Sequence, residues 1–300
     1  MGGSSSAGFT CGYVAVAGRP NVGKSTLVNR ILNFPLSIVS SRPQTTRHKV
    51  LGILNEENWQ VIFLDSPGLV EPRYVLQSLM VKAAWSAIEE ADLVLLMAEA
   101  RRPELDREKA ILERLKKLGK KVILAINKID LVARHDLLPV IKVYGDAFPF
   151  EEIIPISALK EDGLEELKRA VVSNLPEQPP YYPPDELTDR PQKFFVGEII
   201  RQKIFEQFGE EIPYSVAVLV DEYRERDSDK DYIRAIVICE RDSQKAMLIG
   251  KRATALKRLG SAARAEIESF VGKGIYLDLK VEVRKKWRKH EGTIKRLGQA

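Results

Sequence analysis

Residues 14–17 form an apolar run of strand character, and the chain then passes into a helical pattern through a loop flanked by two glycines. Strand before and helix after is the context that a phosphate-binding loop requires. The loop reads Gly18, Arg19, Pro20, Asn21, Val22, Gly23, Lys24, Ser25, with Thr26 following inside the helix. Glycines at this spacing let successive backbone N–H groups face inward at the positive end of a helix, which makes the loop a cradle for phosphate groups. Lys24 is placed to reach the outer phosphates and the Ser25 hydroxyl to ligate magnesium.

Further apolar runs at 61–64, 93–97, 122–126 and 153–156 have the continuous character of strands buried on both faces. Helical patterns separate them. Ile111, Leu115 and Leu118 share one face, as do Leu164, Leu167, Val171 and Leu175, because offsets of three, four and seven superpose on a 3.6-residue period. The expectation is an α/β domain with a mostly parallel sheet covered by helices. After Leu175 come Pro176, Pro179, Pro180, Pro183, Pro184 and Pro191. Proline this dense continues neither helix nor sheet, so a semi-extended linker is expected over 179–192. At 300 residues the chain is long enough for a domain on each side of it.

Beyond the linker, Val196, Ile200, Ile204 and Phe208 mark a helix. Strand-like runs at 215–220 and 232–239, helices at 245–249 and 256–270, and a period-two strand at 275–283 follow. This second domain reads helix, strand, strand, helix, helix, strand. No apolar run approaches the roughly 20 residues of a membrane span. Cys11 and Cys239 suggest neither a disulfide framework nor a metal cluster, and fit a reducing cytoplasm. Residues 1–8 are small and polar, and 1–10 read as a flexible tail.

Two more motifs carry chemistry. Asp65, Ser66, Pro67 and Gly68 end a strand, placing a carboxylate for a metal and a glycine N–H for a terminal phosphate. Asn127, Lys128, Ile129 and Asp130 end another, at the carboxyl edge where open α/β sheets bind ligands. A carboxylate there accepts two hydrogen bonds from the N1–H and 2-amino group of guanine, which adenine does not offer. Ser157, Ala158 and Leu159, after the next strand, would complete the pocket with backbone N–H donors to the guanine O6.

With these motifs in order the sequence resembles the translation-factor-related GTPases, and more narrowly the Era GTPases, over nearly its whole length. The resemblance makes 11–178 a P-loop GTPase domain using GTP/GDP and Mg2+. Residues 43–47, Pro-Gln-Thr-Thr-Arg, look like the first switch, with Thr46 the magnesium ligand and Thr45 the alternative. Ser25, Thr46 and Asp65 then form the metal set, and Lys24, Thr46, Gly68 and Asn21 serve catalysis. Leu69 stands where many small GTPases carry a glutamine that orients water, so intrinsic hydrolysis is expected to be slow. Asn21 resembles the asparagine through which relatives hold K+; a plain turn residue is the alternative.

The element order after residue 193, with Gly250, Lys251, Arg252 and Ala253 between two helices, resembles a bacterial-type, α+β KH domain over 193–300. In that fold a Gly-x-x-Gly turn admits the backbone of single-stranded RNA. Ala253 replaces the second glycine, and its methyl group resists positive φ. Net charge is +5, and from Lys245 onward 15 Lys/Arg face 5 Asp/Glu. Lys245, Lys251, Arg252, Lys257, Arg258, Lys285, Lys286 and Arg288 are the expected RNA contacts, with Trp287 stacking on a base or, alternatively, lying in the core.

The resemblance implies a cytoplasmic, monomeric switch that hydrolyses GTP slowly, binds the 3′ end of small-subunit ribosomal RNA and assists assembly of the small ribosomal subunit. Two rivals remain at this stage. One is an RNA-binding protein that senses GTP without hydrolysing it. The other is a peripheral GTPase at the inner membrane face, using the basic tail on anionic lipid.

Overall fold

A computed structural model describes residues 8–40, 42–101, 105–227 and 230–299. The flexible tail expected at the start therefore lies, for residues 1–7, outside the described residues. The chain divides into two compact units. The second comprises Ile38–Thr45, Pro72–Leu79 and Arg190–Ala300, and the first the rest.

The first unit is built on β1 (Thr10–Gly18), α1 (Lys24–Leu32), β2 (Val50–Asn55), β3 (Trp59–Asp65), α2 (Val75–Glu90), β4 (Leu93–Glu99), α3 (Leu105–Leu118), β5 (Lys121–Asn127), α4 (Arg134–Ala147), β6 (Glu152–Pro155) and α5 (Leu164–Ser173). Of α2, only the part from Met80 onward belongs to this unit. Its six strands lie in the order β2-β3-β1-β4-β5-β6. All neighbours are parallel except β2, which runs antiparallel to β3 at the edge. Registers Val16↔Asp65, Gly18↔Met97 and Glu99↔Asn127 bring the carboxyl ends of β1, β3, β4 and β5 to one rim. Leu93, Val94, Leu95, Ile123, Leu124 and Ala125 are each fully buried, as expected for strands covered on both faces. Ile111, Leu112 and Leu115 of α3 and Leu164, Leu167 and Val171 of α5 supply buried helix faces.

The proline-rich segment through Asp189 belongs to this unit. It runs along the edge strand: Ile53 N–H donates to the Leu187 carbonyl at 2.8 Å and Thr188 Oγ1 to the Leu51 carbonyl at 2.7 Å. Gln60 Nε2 donates to the Tyr182 carbonyl at 2.8 Å. Prolines cannot join the ladder as donors, but extended backbone with free carbonyls can cover an edge that would otherwise invite strand addition.

The second unit contains α6 (Gln192–Gln207), α7 (Ile212–Ser215), β7 (Ala217–Arg224), β8 (Lys230–Cys239), α8 (Asp242–Ile249), α9 (Thr254–Val271), β9 (Gly274–Val283) and α10 (Glu291–Arg296). The sheet order is β7-β8-β9, with β7 antiparallel and β9 parallel to β8. The expected order of six elements is present, with α7 and α10 added. Ser215, expected in the first strand, ends α7 instead. Val196, Ile200 and Ile204 of α6 and Leu259, Ala263 and Ile267 of α9 are fully buried in one cluster with the inner face of the sheet. Gln244 caps α8 by accepting from the N–H groups of Glu240 and Arg241 at 2.9 and 3.1 Å, the half of a capping box that a glutamine at the third helical position supplies.

Candidate functional site

The phosphate loop joins β1 to α1 as its spacing requires. Gly23 has φ +105°, and a Cβ there would lie 2.2 Å from Asn127 Nδ2, so only glycine fits. Asn21 is exposed with φ 64°, a conformation asparagine tolerates better than most residues. Lys24 is 6% exposed, and its Nζ donates to the carbonyls of Gly18 at 3.2 Å and Arg19 at 2.9 Å. Burial pushes its ammonium down to about 8, against the pull of Asp65. A lysine held this way carries a charge that water cannot screen, aimed where phosphate charge would compensate it.

Asp65, at the end of β3, is fully buried. Its Oδ2 accepts from Ser25 Oγ at 3.0 Å, and Ser25 Oγ lies 2.8 Å from Thr46 Oγ1. Its Oδ1 is buried without a hydrogen-bond partner. Burial drives this carboxyl up, and the nearby Ser37 hydroxyl, then the Lys24 ammonium and the Ser25 hydroxyl, pull it back. Three hard oxygens from three separate segments therefore converge, one with an unused lone-pair face, which suits a small divalent cation. Of the two threonines proposed for this set, Thr46 places its hydroxyl there.

Gly68 abuts the phosphate loop: a Cβ there would lie 2.7–2.9 Å from atoms of Pro20. Leu69 N–H donates to the Gly18 carbonyl at 3.0 Å. The Leu69 side chain is 6% exposed and packs into the core of the first unit.

Asn127 has a role that its motif does not announce. Its Nδ2 donates to the Val22 carbonyl at 2.7 Å, and its Oδ1 accepts from the Ala158 N–H at 2.9 Å. It ties the phosphate loop to the loop after β6. Asp130 is exposed, and its Oδ1 accepts from Ser157 Oγ at 2.6 Å, which fixes the carboxylate for a ligand. Lys128 has φ 67° and pairs with Glu99 at 3.0 Å; Glu99 carries no motif that would have revealed it. The backbone donors differ from expectation. Ser157 N–H goes to the Asp162 carbonyl at 3.0 Å and Ala158 N–H to Asn127, so these bonds leave the Leu159 N–H for a base.

In the second unit, Lys251 and Arg252 are exposed on a 3₁₀ turn after Gly250. Arg252 and Ala253 have φ 52° and 59°. The alanine expected to resist positive φ therefore adopts it, at a cost of about 1–2 kcal/mol relative to glycine. Lys257 and Arg258 are exposed on α9, and Lys245 is half-buried on α8. Lys285 and Lys286 are exposed and, with Glu240, Arg241, Asp242 and Lys289, line an open pocket of about 360 Å³. Trp287 corrects the expectation of base stacking. It is 1% exposed and its Nε1 donates to the Ser215 carbonyl at 2.9 Å, which satisfies the indole inside the core. Arg288 is likewise engaged, with the Glu240 carboxylate and the Tyr214 carbonyl.

Residues 13–128 match the family described as 50S ribosome-binding GTPase, and residues 211–288 match the KH domain family. "GTPase Era" of Geobacter metallireducens is 45% identical over 291 residues, covering 97% of this chain and 98% of that protein. "GTPase Era" of Lacticaseibacillus paracasei is 44% identical over 287 residues, covering 96% of each. Among solved structures, a variant of Aquifex aeolicus Era bound to GDP and AlF4− matches with a TM-score of 0.93 and 40% identity, over 97% of this chain and 100% of that one. Era in complex with MgGDPNP and nucleotides 1506–1542 of 16S ribosomal RNA matches with the same score and identity, over 97% and 99%. With its nucleotide motifs assembled at one sheet rim and its likeness extending through both units, this chain belongs to the Era family of GTPases.

Proposed function

We propose that this GTPase is a switch that binds the 3′ end of small-subunit ribosomal RNA and assists assembly of the small ribosomal subunit, acting as a monomer in the cytoplasm. The observation that carries the reading is the full-length match to an Era complex holding both a guanine nucleotide and that RNA segment. Asp130, fixed by Ser157, would read guanine. Lys24 and the loop N–H groups would hold the phosphates, and Gly68 would sense the terminal one. Ser25, Thr46 and Asp65 would hold Mg2+, which supplies charge neutralisation between the outer phosphates; the unused Asp65 Oδ1 and the MgGDPNP of the relative support this. Gly250, Lys251, Arg252 and Ala253 would clamp RNA, with Lys245, Lys257, Arg258, Lys285 and Lys286 at its phosphates.

Leu69 leaves no glutamine to orient water, so positive charge must serve the transition state instead. Asn21 would hold K+ against the phosphates, and hydrolysis should then run several-fold faster in K+ than in Na+ at equal ionic strength. Equal rates, or a difference that persists in Asn21→Ala, would remove the cation from the account.

The RNA assignment is tested by titrating the full chain with the 3′-terminal RNA, a permuted RNA and anionic liposomes. No helix among the described residues is long and apolar enough to cross a membrane, so any lipid contact would be peripheral. Preference for the native RNA sequence supports the reading. Equal binding of both RNAs, or binding to liposomes alone, contradicts it.

A further inference from the structure

Asp130 must offer an available carboxylate to read guanine, yet Lys128, two residues earlier in the chain, carries an ammonium on a long flexible stem. Opposite charges this close in sequence attract one another, and their pairing would occupy the acceptor that the base requires. The structure shows the lysine engaged elsewhere. Lys128 Nζ donates to Glu99 Oε2 at 3.0 Å, with the two side chains 28% and 27% exposed. Asp130 Oδ1 accepts from Ser157 Oγ instead, at 2.6 Å, and the residue stays exposed. Glu99 stands on firm ground: it ends β4 in register with Asn127, which ends β5, and the Ala100 N–H donates to the Asn127 carbonyl at 2.9 Å. Lys128 itself has φ 67°, a left-handed conformation that a lysine keeps only where its surroundings over-determine it. The turn that carries Asp130 is closed on the same residue, because the Leu131 N–H donates to the Lys128 carbonyl at 3.0 Å.

We propose that Glu99 is a positioning residue for guanine recognition: by holding the Lys128 ammonium it keeps the Asp130 carboxylate available to the base. The inference rests on the reading of Asp130 as the guanine acceptor. The residues involved belong to one sheet and the loops at its rim, so the pairing of β4 with β5 supplies the geometry that the role needs. Without Glu99 the ammonium is released beside Asp130, and a base then has to displace it before it can bind. GTP and GDP share the base, so loss of Glu99 should weaken both alike. An interaction equal in ground and transition states sets KM and leaves kcat alone.

The test uses the full chain with Glu99→Gln, which keeps the shape without the charge, Glu99→Asp, which keeps the charge on a shorter stem, and Asp130→Asn alone and combined with Glu99→Gln. Each is titrated calorimetrically with GDP and with xanthosine diphosphate. Glu99→Gln should weaken GDP binding by about three- to tenfold, the scale of a partly exposed charge pair. It should raise KM for GTP by the same factor and leave kcat within about twofold. Glu99→Asp should lose less. In the Asp130→Asn background no carboxylate remains to attract the ammonium, so adding Glu99→Gln should leave xanthosine diphosphate affinity within about twofold, the coupling that a double-mutant cycle isolates. A pair that merely braced the loop would be missed equally in both backgrounds, so equal losses overturn the role of Glu99 while leaving Asp130 as the reader. Unchanged GDP affinity in Glu99→Gln overturns it as well. If Asp130→Asn keeps its GDP affinity and gains none for xanthosine diphosphate, the Asp130 reading fails and this inference with it. If Glu99→Gln does not fold, Glu99→Asp takes its place in the cycle, and undiminished GDP affinity there overturns the proposal.

Discussion

Asp130 and Lys24 carry most of the nucleotide chemistry at the scale of single residues, and each makes a measurable commitment. The carboxylate of Asp130 is an acceptor fixed by Ser157, so Asp130→Asn exchanges an acceptor for a donor and should move preference from guanine to xanthine nucleotides. GTP affinity should fall by about 3 kcal/mol, on the order of a hundredfold, the cost of losing charge-assisted hydrogen bonds. Unchanged GTP affinity in a calorimetric titration would remove Asp130 from the base pocket. Burial holds the Lys24 ammonium near 8, below its ordinary value, and bound phosphate anions must draw it back up. Well below pH 8 the lysine is protonated before binding and adds no pH dependence of its own. Above it, binding has to take up a proton, so GTP affinity should fall as pH rises from 8 toward 10. Calorimetry in buffers of different ionisation enthalpy at pH 9 should register proton uptake; none at that pH would show that the charge is set otherwise.

Individual motifs were legible in the sequence because their spacing is local, whereas the partners that orient them are not. Nothing about Asn127 announces that it will bridge Val22 and Ala158, since that role exists only when three distant loops meet. Whole elements show the same limit. The parallel strands declare themselves as apolar runs, but in β2 Gly52 and the terminal Asn55 interrupt the apolar character. The helix α4 contains Pro139, which obscures its period. Trp287, inside a basic run, looks like a stacking platform until α7 supplies the carbonyl that buries it. The turn before α9 holds Ala253 in a left-handed conformation, so Ala253→Gly should stabilise the protein. The strain relieved, about 1–2 kcal/mol, is partly offset by the greater freedom of glycine in the unfolded chain, leaving a gain of up to about 1 kcal/mol. Thermal unfolding of the full chain should shift upward, with RNA affinity kept or improved. A lower midpoint would mean that the methyl group makes contacts worth more than the strain.

For the whole molecule, the division into two units explains why the chain can combine two kinds of recognition. One unit carries the nucleotide motifs at the carboxyl rim of a parallel sheet. The other carries the surplus of positive charge around the Gly250 turn, and it also takes in Ile38–Thr45 and Pro72–Leu79, stretches that immediately precede Thr46 and follow the Asp65 motif. Residues adjacent to the metal set are thus covalently continuous with segments of the second unit. Binding of RNA through Lys and Arg should weaken as salt rises, because neutralised phosphates release counterions. The most direct test is equilibrium binding of the 3′-terminal small-subunit ribosomal RNA to the full chain, loaded either with GDPNP and Mg2+ or with GDP, at one fixed salt concentration. Tighter binding in the GDPNP state, by about tenfold or 1.4 kcal/mol of coupling, is the predicted result; equal affinity in the two states would contradict the switch.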